Sequence, residues 1–107
     1  AVDILTRVPG KKRSAAQQAA IDDETARLAL YQFTACPFCI KTRRAIHKLG
    51  LNINTRDAMN DPIARSELEQ RGGRIKVPCL RISEQGKDDV WMYESKDIIS
   101  YLQQRFD

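Results

Sequence analysis

Two cysteines three residues apart, in Cys36-Pro37-Phe38-Cys39, are the residues of this chain best suited to chemistry. They follow a short apolar run, Leu28-Ala29-Leu30-Tyr31-Gln32-Phe33, and open a stretch of helical pattern through Ile40, Ile46 and Leu49. A thiol at a strand-to-helix junction sits beside unsatisfied N–H groups and the positive end of the helix dipole. Both favour the thiolate, the form that attacks disulfides. Thiols so placed have pKa values of roughly 3.5 to 7.5, against about 8.5 for a free one. Pro37 suits the first helical turn, where its missing N–H costs no hydrogen bond. The spacing lets an internal disulfide close across one turn. Cys36 is therefore expected as the exposed nucleophile and Cys39, one turn in, as the buried resolving thiol. Lys41, Arg43 and Arg44 are candidate sources of positive potential at the site.

The third cysteine, Cys79, makes the count odd, which argues against the even, widely spaced set of a disulfide-stapled domain. Metal binding is the rival chemistry. A second C-x-x-C pair is absent, and His47 lies two to three turns into the helix, far along its axis from Cys36. The spacing thus favours redox chemistry over zinc, and no metal is expected.

The elements around the dithiol follow from pattern. Residues 1–27 form an extension with a basic run, Lys11, Lys12 and Arg13, then a helix from about Ser14 to Arg27 whose small apolar face needs a docking surface. The organised domain spans residues 28–107. It opens with the apolar strand and the Cys36 helix, which Gly50 ends. A second strand fits Ile53 to Asp57, and Asp61-Pro62 starts a helix that stops at Gly72-Gly73. Val77 to Ile82 and Val90 to Tyr93 form a hairpin, and Ser95 caps a last helix with Ile98, Ile99, Leu102 and Phe106 on one face. The order β-α-β-α-β-β-α implies an α/β domain with a mixed sheet and helices on both faces. Val77-Pro78 is anomalous: a proline at the start of a central strand breaks the edge rule, and a cis peptide bond is the favoured explanation. Such a bond would present the Val77 backbone to an extended ligand.

At 107 residues the chain is long enough for one domain, and 42% hydrophobic with 30% charged residues suits a globular fold. A net charge of +4 without a basic stripe or interleaved aromatics argues against nucleic acid as a partner. No apolar stretch reaches membrane-span length and no signal-peptide core is present, so no membrane contact is expected within these residues. A cytoplasmic setting is expected, with an anchor upstream of Ala1 left open.

Three segments in order, the strand-Cys36-Pro37-Phe38-Cys39-helix unit, Gly73-Arg74 to Val77-Pro78, and Glu94-Ser95-Lys96-Asp97-Ile98, resemble the glutaredoxins over residues 28–107. The resemblance implies a thioredoxin fold: a four-stranded mixed sheet flanked by three helices, here with an N-terminal helical extension. It implies a monomeric thiol–disulfide oxidoreductase that uses glutathione as co-substrate and reduces glutathione mixed disulfides and protein disulfides. Cys36 and Cys39 take the catalytic positions. Phe38, Val77, Pro78 and Ser95 take the positions that hold glutathione, Ser95 at the helix start that binds the γ-glutamyl carboxylate, a role that suits any helix N-terminus. Three departures stand out. Phe33 occupies the position, three before the first cysteine, where the family often has Lys or Arg. Tyr93-Glu94 replaces the usual Gly-Gly, and Lys96 replaces an acid. The Glu94-Ser95 pair looks more like the N-terminal domain of glutathione transferases. Two other roles carry the same resemblance: an iron–sulfur scaffold ligated by Cys36 and glutathione, against which Pro37 argues, and a glutathione-transferase-like adaptor, against which the complete dithiol argues. Cys79, directly after Pro78, is expected in the strand but close enough to the site to be an oxidation target.

Overall fold

The computed structural model describes residues 13–106. The expected flexible start, with Lys11 and Lys12, lies outside the described residues.

Eight elements follow one another: α1 (Ala15–Thr25), β1 (Leu28–Gln32), α2 (Pro37–Lys48), β2 (Asn54–Asp57), α3 (Pro62–Gln70), β3 (Cys79–Ile82), β4 (Val90–Met92) and α4 (Ser95–Phe106). The strands form one mixed sheet in the order β2-β1-β3-β4. β1 runs parallel to β2, with Ala29 opposite Asn54, and antiparallel to β3, with Tyr31 opposite Cys79. β3 runs antiparallel to β4. This is the expected thioredoxin fold, with the N-terminal helix added.

β1 is central, and its residues from Leu28 to Tyr31 are all buried, as a continuous apolar run in a two-sided sheet requires. Its alternation divides the core. Leu28 and Leu30, with Leu80 and Ile82 of β3, face α2 and α4 through Ile46, Leu49, Ile98, Leu102 and Phe106. Ala29, Tyr31 and Cys79 face α3 through Ala64 and Leu68. The α3 face also carries polar bonds: Tyr31 Oη donates to Glu67 Oε1 (2.7 Å), which also accepts from Arg56 Nη2 (2.8 Å), while Arg81 Nη1 donates to Tyr31 Oη (3.0 Å).

The helix ends obey local rules. Pro37 and Pro62 sit in first turns, and the Asp61 side chain accepts from the Ile63 N–H at 2.9 Å. α2 ends at Gly50, whose φ of 67° suits a residue without Cβ. α3 ends at Gly72 for a different reason: a Cβ there would lie 2.5 Å from Tyr93 Oη and 2.6 Å from the Leu68 carbonyl oxygen.

α1 docks by polar contacts. Arg13, just before it, donates to the carbonyls of Phe106 (2.9 Å) and Gly50 (3.3 Å), beside the C-terminal ends of α4 and α2. Asn52 Nδ2 donates to Asp22 at 2.9 Å, Arg105 pairs with Glu24, and Ile21 packs on the core.

Two expectations need correction. β3 begins at Cys79 and not at Val77, because a proline has no N–H for the ladder and Pro78 stays just outside it. Ser95 is the first residue of α4 and not its cap: the first helical bond runs from the Ile98 N–H to the Glu94 carbonyl (3.0 Å), which makes Glu94 the capping residue.

Truncating a residue at the centre of the larger core tests this division. Leu80→Ala, at a fully buried site, is expected to lower unfolding free energy by about 2–5 kcal/mol in urea titration. Ile63→Ala, at a side chain 67% exposed, should stay within about 0.5 kcal/mol of the parent.

Candidate functional site

The parallel pair β1 and β2 ends, β3 begins and β4 ends at one edge of the sheet, and α2 and α4 both start there. Cys36, Phe38, Cys39, Val77, Pro78, Cys79 and Ser95 lie at or next to this edge because of that topology.

Cys36 caps α2 in extended conformation (φ −69°, ψ 126°), and its N–H donates to the Phe33 carbonyl at 3.2 Å. The bend from β1 into α2 thus leaves its sulfur partly exposed at the helix N-terminus. All three thiols are free. Partial burial of the Cys36 sulfur opposes its ionisation. The N–H of Cys39, the Cys39 thiol, the Phe38 N–H and the Arg43 charge together outweigh that penalty, and the pKa falls below the ordinary thiol value.

Of the three candidate cations, Arg43 is the one whose charge bears on the sulfur. It is held by Gln32 Oε1 (2.6 Å) at the end of β1 and by the Thr34 carbonyl (2.9 Å). Lys41 and Arg44 are exposed on α2. Phe33, where a cation is common in relatives, packs against the α3-face cluster of Tyr31 and Cys79.

Cys39 is fully buried one turn further on. Desolvation is the main cause that pushes its pKa up to about 11, and the neighbouring Cys36 adds to the rise. The two thiols therefore differ in environment: ionisation is favoured at the partly exposed Cys36 and opposed at the buried Cys39.

A cleft of about 270 Å³ is lined by Phe38, two residues after Cys36, together with Lys76, Val77, Pro78, Glu94 and Ser95. It unites all four residues expected to hold a ligand. The Val77-Pro78 bond is cis, as expected, and Phe38 is 61% exposed at the rim. Lys76 and Glu94, which sequence reasoning did not place in the site, form an ion pair there. Their signal was available: Lys76 adjoins Val77-Pro78 and Glu94 adjoins Ser95.

Cys79 is not part of this surface. It is fully buried and points into the α3-face cluster. Burial pushes its pKa up to about 12, against small opposing effects of the Tyr93 hydroxyl and Arg74. Its place in the strand is as expected, and burial and a raised pKa both disfavour the thiolate that oxidation would need.

Two measurements test these environments. Alkylation of the reduced protein against pH, read by mass spectrometry at Cys36, should have its midpoint below the ordinary thiol range, and Arg43→Gln should move it upward. Cys39 and Cys79 act in the opposite sense on stability. Unfolded thiols ionise near about 8.5, whereas these two stay protonated in the fold to about 11 and about 12. Their contribution is complete below about pH 8.5 and is lost as pH rises through the folded values, at up to about 1.4 kcal/mol per pH unit for each thiol. Cys79→Val should make the alkaline fall in unfolding free energy shallower.

Comparison with known proteins agrees with the geometry. The glutaredoxin family model matches residues 28–86. A search of curated proteins finds no match. Among solved structures, wheat glutaredoxin is 18% identical with a TM-score of 0.53, covering 87% of each chain. Glutaredoxin 2 from Chlamydomonas reinhardtii is 22% identical with a TM-score of 0.52, covering 84% of this chain and 85% of its own. A thioredoxin-like protein is 17% identical with a TM-score of 0.57, covering 72% of this chain and 95% of its own. No helix among the described residues is long and apolar enough to cross a membrane. A thiol poised to ionise beside a buried partner, on this fold, fits a thiol–disulfide oxidoreductase-like role, and with the match over residues 28–86 the chain belongs to the glutaredoxin family.

Proposed function

We propose that this protein is a glutathione-dependent thiol–disulfide oxidoreductase that reduces glutathione mixed disulfides and, through both cysteines, protein disulfides. The observation that carries this reading is a Cys36 whose ionisation is favoured, two residues before a Phe38 that lines one cleft with Val77, Pro78 and Ser95.

The chemistry follows from the arrangement. The Cys36 thiolate attacks the glutathione sulfur of a mixed disulfide. A bond forms between Cys36 and glutathione, the old disulfide breaks, and the substrate thiolate leaves and takes a proton from water. A glutathione thiolate then attacks the glutathione sulfur on Cys36, which releases oxidised glutathione and restores the Cys36 thiolate. Across the cycle one substrate mixed disulfide and one free glutathione become one substrate thiol and one oxidised glutathione. In the second step the helix N-terminus and Arg43 stabilise Cys36 as the leaving group, for the same reason that they favoured it as nucleophile.

With a protein disulfide, Cys39 supplies an internal route. Its thiolate attacks the Cys36 sulfur, the target thiolate leaves, and Cys36 and Cys39 remain joined until glutathione reduces them. At a pKa of about 11, only on the order of one Cys39 in ten thousand is ionised at neutral pH. The negative charge on Cys36, one cause of that elevation, disappears once Cys36 is in a mixed disulfide. Desolvation, the main cause of the elevation, stays in place, so the loss of that charge eases ionisation of Cys39 only in part.

Turnover of a glutathione mixed disulfide, coupled to glutathione reductase and NADPH, tests the proposal. The parent protein should turn over, Cys36→Ser should fall at least ~10³-fold towards the uncatalysed rate, and Cys39→Ser should keep most of the activity. Undiminished activity in Cys36→Ser would sink the proposal. Loss of activity in Cys39→Ser would leave only the dithiol route.

A further inference from the structure

The solvent face of α2 carries three cations in one row. Lys41, Arg44 and Lys48 are all exposed, and their spacings of three and four residues put them on one side of the helix. None of them pairs with a carboxylate among the described residues, whereas Arg56, Arg71, Lys76, Lys87 and Arg105 each do. The sequence makes the difference: no Asp or Glu stands between Glu24 and Asp57. The helix packed beside α2 is α4, and among its 12 residues Asp97 is the single acid.

Stability does not account for the row. Like charges three and four residues apart repel and disfavour a helix. Lys48, in the last turn, suits the negative end of the helix dipole, but Lys41 and Arg44 stand before that turn. The row does not serve the thiol either. The cation that acts on Cys36 is Arg43, which is turned back to Gln32 and Thr34. None of the three lines the cleft, so a ligand held there leaves them uncovered.

The row begins near the reacting end of the helix. At about 1.5 Å per residue, Lys41 lies about 8 Å and Lys48 about 18 Å along the axis from Cys36. An extended chain covers the longer distance in about five or six residues. A substrate bonded to Cys36 therefore reaches the far cation only if it is a polypeptide.

We propose that Lys41, Arg44 and Lys48 form a docking strip for acidic segments of protein substrates, which hold to it while their disulfide exchanges at Cys36. This rests on the thiol–disulfide reading above and names the class of protein that the site serves. Carboxylates at successive positions beside the reacting cysteine meet successive cations. At physiological ionic strength a surface charge acts over about 8 Å, so the strip selects acids close to that cysteine and not the net charge of the whole partner. A lipid surface offers negative charge but no disulfide, and a strip that leads away from Cys36 fits a polypeptide better.

The test uses the full chain and two peptides, each with one cysteine held as a mixed disulfide with glutathione. In one peptide glutamates flank the cysteine on both sides, and in the other glutamines take the same positions. Release of the peptide thiol, with glutathione and glutathione reductase regenerating Cys36, is followed by mass spectrometry. At low salt the glutamate peptide should show a kcat/KM about 10-fold or more above the glutamine peptide, the lower end of electrostatic steering. In about 1 M salt, where screening acts within about 3 Å, most of that ratio should vanish. Lys41→Gln, Arg44→Gln and Lys48→Gln together should abolish the ratio at low salt. The same variant should turn over the glutamine peptide, and the glutathione mixed disulfide of 2-mercaptoethanol, within about twofold of the parent, because exposed glutamines suit a helix. Arg27→Gln, Arg65→Gln and Lys87→Gln together remove equal charge from exposed positions outside α2 and should keep the ratio.

Equal turnover of both peptides by the parent protein would overturn the proposal while leaving the oxidoreductase reading intact. So would an equal loss of the ratio in both triple variants, which would reduce the effect to net charge. Equal turnover of both peptides together with strip-dependent sedimentation on phosphatidylserine vesicles would replace the proposal with a lipid contact. A parent protein that turns over neither peptide nor the 2-mercaptoethanol mixed disulfide would overturn the oxidoreductase reading, and the docking strip with it.

Discussion

One sulfur at the N-terminus of α2, where ionisation is favoured, sets the terms for the rest of this fold. A thiolate at a protein surface needs N–H groups aimed at it, a nearby cation, and a scaffold that does not shift when the sulfur changes partner. The N–H groups come from the first turn of α2. The scaffold is β1, the most completely buried strand, whose neighbours on both sides fix the point where the chain leaves the sheet. The cation is Arg43, anchored at both the strand end and the following loop. Arg43 therefore serves two purposes: its charge favours the thiolate, and its hydrogen bonds hold the β1–α2 bend in place.

That arrangement accounts for Phe33. A cation at the end of β1 would be one way to supply positive potential to Cys36. Here the potential comes from the opposite side, from one face of α2, which leaves the strand position open to an apolar residue. Phe33 uses it to extend the α3-face cluster toward Val77, Trp91 and Tyr93. The departure from the family pattern at this residue is thus compensated within the site.

Much of this was legible in the sequence, for definite reasons. Strand and helix order followed from apolar period and from Pro, Gly and Asp at helix ends, and the different exposure of Cys36 and Cys39 followed from the geometry of one helical turn. Other features depend on partners distant in sequence. Lys41, Arg43 and Arg44 are equivalent until Gln32 and Thr34 are seen to hold one of them. The bonds joining Tyr31, Glu67, Arg56 and Arg81 connect β1, α3, β2 and β3 and carry no local signature. α1 lacks an apolar stripe because it docks mainly through Arg13, Gln18, Asp22 and Glu24, and hydrophobic period cannot reveal a polar interface. Ser95 was displaced from the cap by a conformation, positive φ at Glu94, that sequence would assign to glycine.

The three cysteines show how far environment, and not residue type, decides chemistry in this chain. Cys36 and Cys39 share a helix turn, yet their pKa values move in opposite directions because one sulfur meets the helix N–H groups at the surface and the other is stripped of water. Cys79 follows the residue pair that borders the cleft, yet the alternation of β3 turns its side chain away. Pro78 faces the ligand cleft, and the next residue along points into the α3 layer. A one-residue change of register would bring a third thiol to the site and offer Cys36 a competing disulfide. The pairing of Cys79 with Tyr31 therefore protects the dithiol as well as building the core. The burial that seats Cys79 in the α3-face cluster also keeps its thiol away from the surface where Cys36 is exposed.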